Sequence, residues 1–325
     1  MKKVIVITGP TAIGKTEMSL QIARLYNTEI INADASQFRK GLNVGTAKID
    51  YKNLDVVHHL IDIIDIEEDF SIKDFQDRAR DIITSLHNEN KIPLIVGGSG
   101  LYINSVIGKY ELDDSKRDYD FEEKFYESYS NEDLHKELAL LDFDSSLNIH
   151  PNNRRRVLRA ISKAKSGTKI STLKKGQELI YDCLIFELTT SREVLYSRIN
   201  KRFSQMIEDG WLEEVRDLKN KGYDLEKIKD IGYTELANYL DGVLDFYEVS
   251  ELIKKKTRNY AKRQITWFKN KMNTTPIEMD YDNLDNTLNN LKLEINKFLK
   301  ETSQIWDVRL LTKSAAFFVS IMELY

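Results

Sequence analysis

Short apolar runs alternate with amphipathic stretches through the first hundred residues. Val4 to Thr8 is a compact apolar run and predicts a buried strand. Lys15 to Tyr26 follows with helical spacing, placing Met18, Ile22 and Leu25 on one face. Glu29 to Ala33 predicts a second strand, and Val56 to Ile64 is a third apolar stretch. Ser71 opens a helix carrying Phe75, Ala79, Ile82, Ile83 and Leu86, and Pro93 to Val96 predicts a further strand ending at Gly97-Gly98. Such alternation predicts a mostly parallel sheet covered by helices, with ligands at the carboxyl ends of the strands.

The pattern breaks near residue 110. Glu111 to Asp144 is acidic and helical in texture, with no strand signal; Pro151 to Lys175 then carries nine Lys or Arg and no acid. Tyr181 to Leu188 reads as a strand again, followed by helical segments at Arg192 to Gln205, Leu212 to Lys221 and Ser250 to Asn270. Leu284, Leu288, Leu291, Ile295 and Phe298 mark a last amphipathic helix. The expected organisation is an α/β, P-loop NTPase-like parallel-sheet core with a helical insertion domain. Residues 1–110 and 179–300 form the core and its C-terminal helices, 111–178 the insertion, and 301–325 a tail of no assigned role.

Composition narrows the class. Of 325 residues, 41% are hydrophobic and 31% charged, enough for a packed core. The net charge of −4 says nothing for nucleic acid, so only local clustering could. A single cysteine, Cys183, rules out an internal disulfide and a cysteine-built zinc site, and fits a reducing compartment. The apolar run at the N-terminus is cut by Gly9-Pro10, too short for a leader, and no stretch reaches membrane-spanning length. A cytoplasmic protein without membrane association is expected, and nothing demands more than a monomer.

Gly9-Pro10-Thr11-Ala12-Ile13-Gly14-Lys15-Thr16 matches the phosphate-binding loop G-x-x-x-x-G-K-[ST], between a predicted strand and a predicted helix. Glycines let successive N–H groups converge on one anion, and the helix N-terminus adds partial positive charge. Lys15 supplies a full charge, and the Thr16 hydroxyl is a candidate Mg²⁺ ligand. The motif does not distinguish ATP, GTP or a diphosphate ester. The next strand ends in Asn32-Ala33-Asp34, so Asp34 should face this loop, either to hold Mg²⁺ through water or to take a proton. His58-His59 would point to opposite faces of a strand and make a poor metal pair.

Beyond Asp34 the chain resembles the tRNA dimethylallyltransferases, also called tRNA isopentenyltransferases. Of their signature D-S-x-Q-x-Y-[RK]-G-[ML]-x-I-G-T-A-K-P it keeps Asp34, Gln37, Gly41, Leu42, Gly45, Thr46, Ala47 and Lys48. Further matches follow in order, at His58 to Asp62, Phe70-Ser71, Asp74-Phe75 and Val96 to Tyr102. They continue at His150 to Asn152, Arg155 to Val157, Arg159-Ala160, Arg202-Phe203, Met206, Ile231 to Tyr233 and Thr257 to Phe268. The likeness spans about residues 3 to 270. It departs at Ala35 (usually Ser), Phe38 (Tyr), Ile49 and Val57 (Pro) and Ser99 (Thr); Ala35 and Phe38 each lose a hydroxyl.

The resemblance implies a transferase that moves a dimethylallyl group from dimethylallyl diphosphate to N6 of adenine 37, beside the tRNA anticodon. The loop from Gly9 to Thr16, with Mg²⁺ on Thr16, would hold the diphosphate; Lys15 and Arg202 would stabilise the charge developing on it. Asp34 would accept the proton from the amine, and the adenine would leave its stack to be reached. Contacts to tRNA are implied at Asp34, Ala35, Ser36, Gln37 and Ser99, and along Arg155, Arg156, Val157, Leu158 and Arg159 in the basic segment. A second acid-free stretch, Lys254 to Lys271, interleaves Tyr260, Trp267 and Phe268, which helical spacing predicts as core. Competing readings are an adenylate isopentenyltransferase acting on free AMP, a P-loop small-molecule kinase, and a nucleotide-gated RNA-binding module.

Overall fold

The computed structural model describes residues 1–110, 112, 122, 124–172 and 178–300. The expected tail lies outside the described residues, as does part of the acidic stretch after residue 110. Six strands form one sheet: β1 (Lys3–Thr8), β2 (Ile30–Asn32), β3 (His58–His59), β4 (Leu94–Gly97), β5 (Asp182–Thr189) and β6 (Thr275–Glu278). Their order is β3-β2-β4-β1-β5-β6 and every pairing is parallel. Val4, Ile5, Val6 and Ile7 of β1 are all at most 1% exposed. That unbroken apolar run is what a strand covered on both faces requires.

The chain divides into two compact units: the residues before Ser105 together with those after Ile180, and the segment between. The larger unit carries α1 (Lys15–Leu25), α2 (Ile72–Asn88) and the start of α3 (Gly100–Ile107). Ser71 and Asp74 close a reciprocal capping box that starts α2 where the sequence predicts it. The smaller unit contains α4 (Asn131–Leu141), α5 (Phe143–Asn148) and α6 (Arg154–Lys165). Leu134, Leu138, Val157, Leu158 and Ile161 make its core. After β5 the larger unit continues with α7 (Arg192–Glu208), α8 (Trp211–Asn220), α9 (Tyr233–Leu240), α10 (Phe246–Lys271) and, past β6, a helix α11 over residues 284–300.

The structure differs from the sequence reading in several places. Within the apolar stretch Val56 to Ile64 only His58–His59 is strand, because Leu60 and Asp62 adopt positive φ (60° and 54°) and turn the chain out of the sheet. β6, α3 and α9 were not predicted. Thr275–Glu278 is too short and too mixed to register as a strand by periodicity, and only Ile277 within it is buried.

Close approach requires glycine at the tip of β4. A Cβ on Gly97, at the tip of β4, would sit 2.2 Å from the carbonyl oxygen of Ala33 on the neighbouring strand end. That oxygen belongs to backbone and cannot swing away. Gly97→Ala is expected to lose about 3 kcal/mol of stability, at the upper end of overpacking costs. Urea denaturation measures it; an unchanged midpoint would show that the strand tips are not packed as described.

Candidate active site

The larger unit gathers its functional groups at the carboxyl ends of the strands. The chain leaves β1 at Thr8, turns through residues 9–14 and enters α1 at Lys15, with Gly14 in the left-handed conformation (φ 107°) at the junction. The Lys15 ammonium lies back over its own loop, donating to the carbonyls of Gly9 (3.0 Å) and Pro10 (2.9 Å). Burial pushes it down to about 8; Asp34 opposes that shift and Arg202 adds to it. Gln264 of α10 braces the loop: its Oε1 accepts from Thr11 N at 2.9 Å and its Nε2 donates to Gly98 O at 2.9 Å. One side chain thus ties the phosphate loop to the turn after β4.

Asp34 follows β2 and caps a short 3-10 turn, Ala35–Phe38. Its Oδ1 accepts from Ser36 N at 3.2 Å and its own N donates to Asn32 Oδ1 at 3.2 Å. Phe38 is 1% exposed and packs against Phe75 (5.3 Å between centroids) and Tyr102 (5.6 Å). The absent tyrosine hydroxyl therefore costs this site nothing: the ring is core. Ser99 Oγ accepts from Ala35 N at 3.3 Å and also meets the Tyr260 phenol. Gln37 Nε2 donates to the carbonyls of Thr46 and Ala47 at 3.3 and 3.5 Å.

The loop from Leu42 to Lys48 is held from outside. Glu214 of α8 accepts from three successive backbone amides, Asn43 and Val44 at 2.8 Å and Gly45 at 3.1 Å, and from Tyr233 Oη at 2.8 Å. A Cβ on Gly45 would lie 2.2 Å from Trp211 Nε1, so only glycine lets the loop reach the indole. Lys48, 3% exposed at its side chain, pairs with Asp62 at 2.5 Å and anchors the far end.

Two cavities meet here. One, of about 460 Å³, is lined by Gly14, Lys15, Thr16, Gln37 and the basic face of α7, Arg198, Lys201 and Arg202. The other, of about 320 Å³, has an apolar wall of Ile199, Phe203, Met206, Trp211 and Ile253, and a polar side of Ser36, Asp230 and Tyr260. Thr11, Ala12, Asp34 and Arg202 line both. Burial lowers the pKa of Arg202, with Asp34 raising it and Arg198 lowering it further. Arg198 Nε donates to Ala12 O at 2.9 Å, with its guanidinium 4.0 Å from the Tyr281 ring centre; Tyr281 Oη in turn donates to Ile13 O at 2.9 Å.

Of the residues expected at the site, the structure brings the 9–16 loop, Asp34, Ala35, Ser36, Gln37, Ser99 and Arg202 into this one unit. Arg155, Arg156 and Arg159 lie in the smaller unit on α6, where Arg155 and Arg156 are exposed. Val157 and Leu158, expected at the RNA, are 0% and 1% exposed in that unit's core, so their side chains serve packing and the neighbouring arginines carry the surface. Tyr260, expected as core, lines the smaller cavity instead, while Phe268 is core as predicted.

Sequence reasoning did not single out Arg198, Glu214, Asp230 or Gln264. Arg198, Lys201, Arg202 and Gln205 recur at i, i+3, i+4 and i+7, a helical stripe that could have been read. Asp230 stands directly before Ile231-Gly232-Tyr233. Among the described residues no three His, Cys, Asp or Glu side chains group as around a metal ion.

A parallel sheet with a P-loop sequence at its tips, a cation-lined cavity and a carboxylate at the boundary with an apolar one is the arrangement of a P-loop transferase. The model of the IPP transferase family matches residues 37–271. The tRNA dimethylallyltransferase of Halalkalibacterium halodurans is 40% identical over 307 residues, 92% of this chain and 96% of that relative. The Bacillus subtilis tRNA dimethylallyltransferase is 43% identical over 284 residues, 85% of this chain and 90% of its own length. Among solved structures, the tRNA isopentenylpyrophosphate transferase of Bacillus halodurans superimposes with a TM-score of 0.71 at 40% identity, covering 94% of this chain and 99% of that one. A eukaryotic dimethylallyltransferase described as acting on tRNA gives a TM-score of 0.80 at 27% identity, covering 93% and 80%. The chain belongs to the IPP transferase family.

Lys15 generates a pH prediction. An anion beside the ammonium favours its charged form, so binding raises its pKa above about 8. Well below pH 8 the lysine is already charged, and its own titration no longer changes the affinity for a diphosphate ester. Above it, binding must take up a proton, and affinity should fall by up to about tenfold per pH unit. Calorimetric titration with dimethylallyl diphosphate on both sides of pH 8 reads this out. Affinity that stays level well above pH 8 would mean the ammonium is not at the bound anion.

Proposed function

We propose that this protein transfers a dimethylallyl group from dimethylallyl diphosphate to N6 of the adenine next to the anticodon of tRNA. The observation that carries the reading is that Asp34 and Arg202 line both cavities. A donor spanning the two would lay its diphosphate among Lys15, Arg198 and Arg202. Its C1 would then sit at the boundary, beside the carboxylate.

The step then balances with residues of this chain alone. N6 attacks C1 as the C1–O bond breaks, and that electron pair leaves with the diphosphate. Lys15 and Arg202 are pre-placed where the negative charge grows, in a partly desolvated site where such charges act strongly. Asp34, held by Ser36 N, accepts the N6 proton. Ile199, Phe203, Met206 and Ile253 offer the prenyl tail an apolar wall and keep water from the cation-like carbon. Thr16, exposed and lining the diphosphate cavity, suits a Mg²⁺ ion shared with the phosphates, which would supply further neutralisation of the leaving group.

The smaller unit is read as the RNA grip, with Arg155 and Arg156 exposed on α6 and Arg159 beside them, a basic face suited to phosphates of the anticodon stem. Its acceptor, a tRNA, and its soluble donor meet in the cytoplasm. A single chain carries every group the step uses, so a monomer suffices.

Asp34→Ala should bind both donor and tRNA while losing turnover by about a hundredfold or more, the scale of a missing general base. Single-turnover transfer measured beside tRNA binding separates the two. Turnover within a few fold of the unchanged protein would remove Asp34 from the proton's path.

A further inference from the structure

The smaller cavity holds a second carboxylate for which the transfer step above has no use. Asp230 lies on the segment before α9 and lines the same cavity as Asp34 and Ser36. The Ser36 hydroxyl donates to Asp230 Oδ1, while the Ser36 amide donates to Asp34 Oδ1 at 3.2 Å. One residue therefore sets the spacing of both carboxylates: its side chain orients one and its backbone the other. Burial, and then the charge of Asp34, push the Asp230 carboxyl above the ordinary range, while Ser36, Arg39 and Lys48 pull it down. A buried carboxylate facing a like charge gains most from a ligand that brings N–H donors.

An exocyclic amine brings two. From this geometry we infer that Asp230 is a specificity-determining residue that accepts the second N6 hydrogen of the acceptor adenine, the one retained in the product, while Asp34 accepts the one that is lost. The inference rests on the acceptor proposed above and adds to it a rule of base selection. A base with an oxygen at position 6 presents an acceptor to two acceptors, and is repelled at the same place. With a single carboxylate at the reacting nitrogen, the amine could rotate about its bond to the ring. A second carboxylate fixes which hydrogen faces which group, and so aims the nitrogen's electron pair.

The test uses the full chain and two anticodon stem-loop RNAs that differ only in carrying adenosine or inosine at the acceptor position. Asp230→Asn keeps one acceptor oxygen and adds an amide donor suited to a 6-oxo group. The ratio of inosine to adenosine dissociation constants is expected to fall by about tenfold or more, the equivalent of one charged hydrogen bond. Dimethylallyl diphosphate affinity should be unchanged in the same preparation, which also reports an intact fold. Should that variant fail to bind the donor, Ser36→Ala takes its place, since it removes one hydroxyl and leaves the carboxylate unanchored. The same ratio should then fall by a smaller factor. A ratio equal to that of the unchanged protein overturns the assignment. Because the ratio is read from binding, it is separable from the transfer reaction: an unchanged protein that prenylates no RNA would sink the proposed function, and the ratio would still decide Asp230.

Discussion

Three charges share one partly desolvated junction: the ammonium of Lys15, the guanidinium of Arg202 and the carboxylate of Asp34, which acts on both. Each cation is weakened by burial and supported by Asp34. With Arg198 and Lys201 lining the same cavity, the charge gathered there is net positive. On the proposed function, a diphosphate would balance that charge, and would do so more strongly as its bond to carbon breaks and it becomes more negative. The frame that holds these charges consists of Gln264 across the phosphate loop, Gly97 at the strand crossing and the Glu214 carboxylate on three loop amides.

How much of this could be read from the chain depends on whether the controlling interaction is local. The phosphate loop is local: eight consecutive residues, a strand before and a helix after, and the structure has them as written. The amphipathic helix from Ile72 is local too, with its capping box and apolar stripe in one segment. The apolar stretch from Val56 to Ile64 reports burial and not backbone conformation: only His58–His59 is strand, and the positive φ of Leu60 and Asp62 leaves no trace in hydropathy. Val157 and Leu158 show the complementary error. A basic run was treated as one surface, yet a helix rotates every third or fourth residue inward, and these two fill the core of the smaller unit.

The groups missed at the site are those whose role depends on distant partners. Gln264 acts on Thr11, 253 positions away, and Asp230 on Ser36, 194 positions away. Glu214 reaches back to Asn43 over 171 residues. No window along the chain contains both members of such a pair. The departures from the family signature also acquire meaning only in three dimensions. Phe38 is buried among aromatic rings, where a hydroxyl would need a partner, and Ser36, beside Ala35, holds Asp230.

The central claim is that a prenyl group moves to an adenine carried by tRNA. The most direct measurement is incubation of the purified protein with Mg²⁺ and radiolabelled dimethylallyl diphosphate, with unmodified tRNA in one reaction and AMP in the other. The account predicts label in tRNA, mapping to the adenine beside the anticodon, and none in AMP. Label in AMP alone, or in neither from a folded protein that binds the donor, would contradict it.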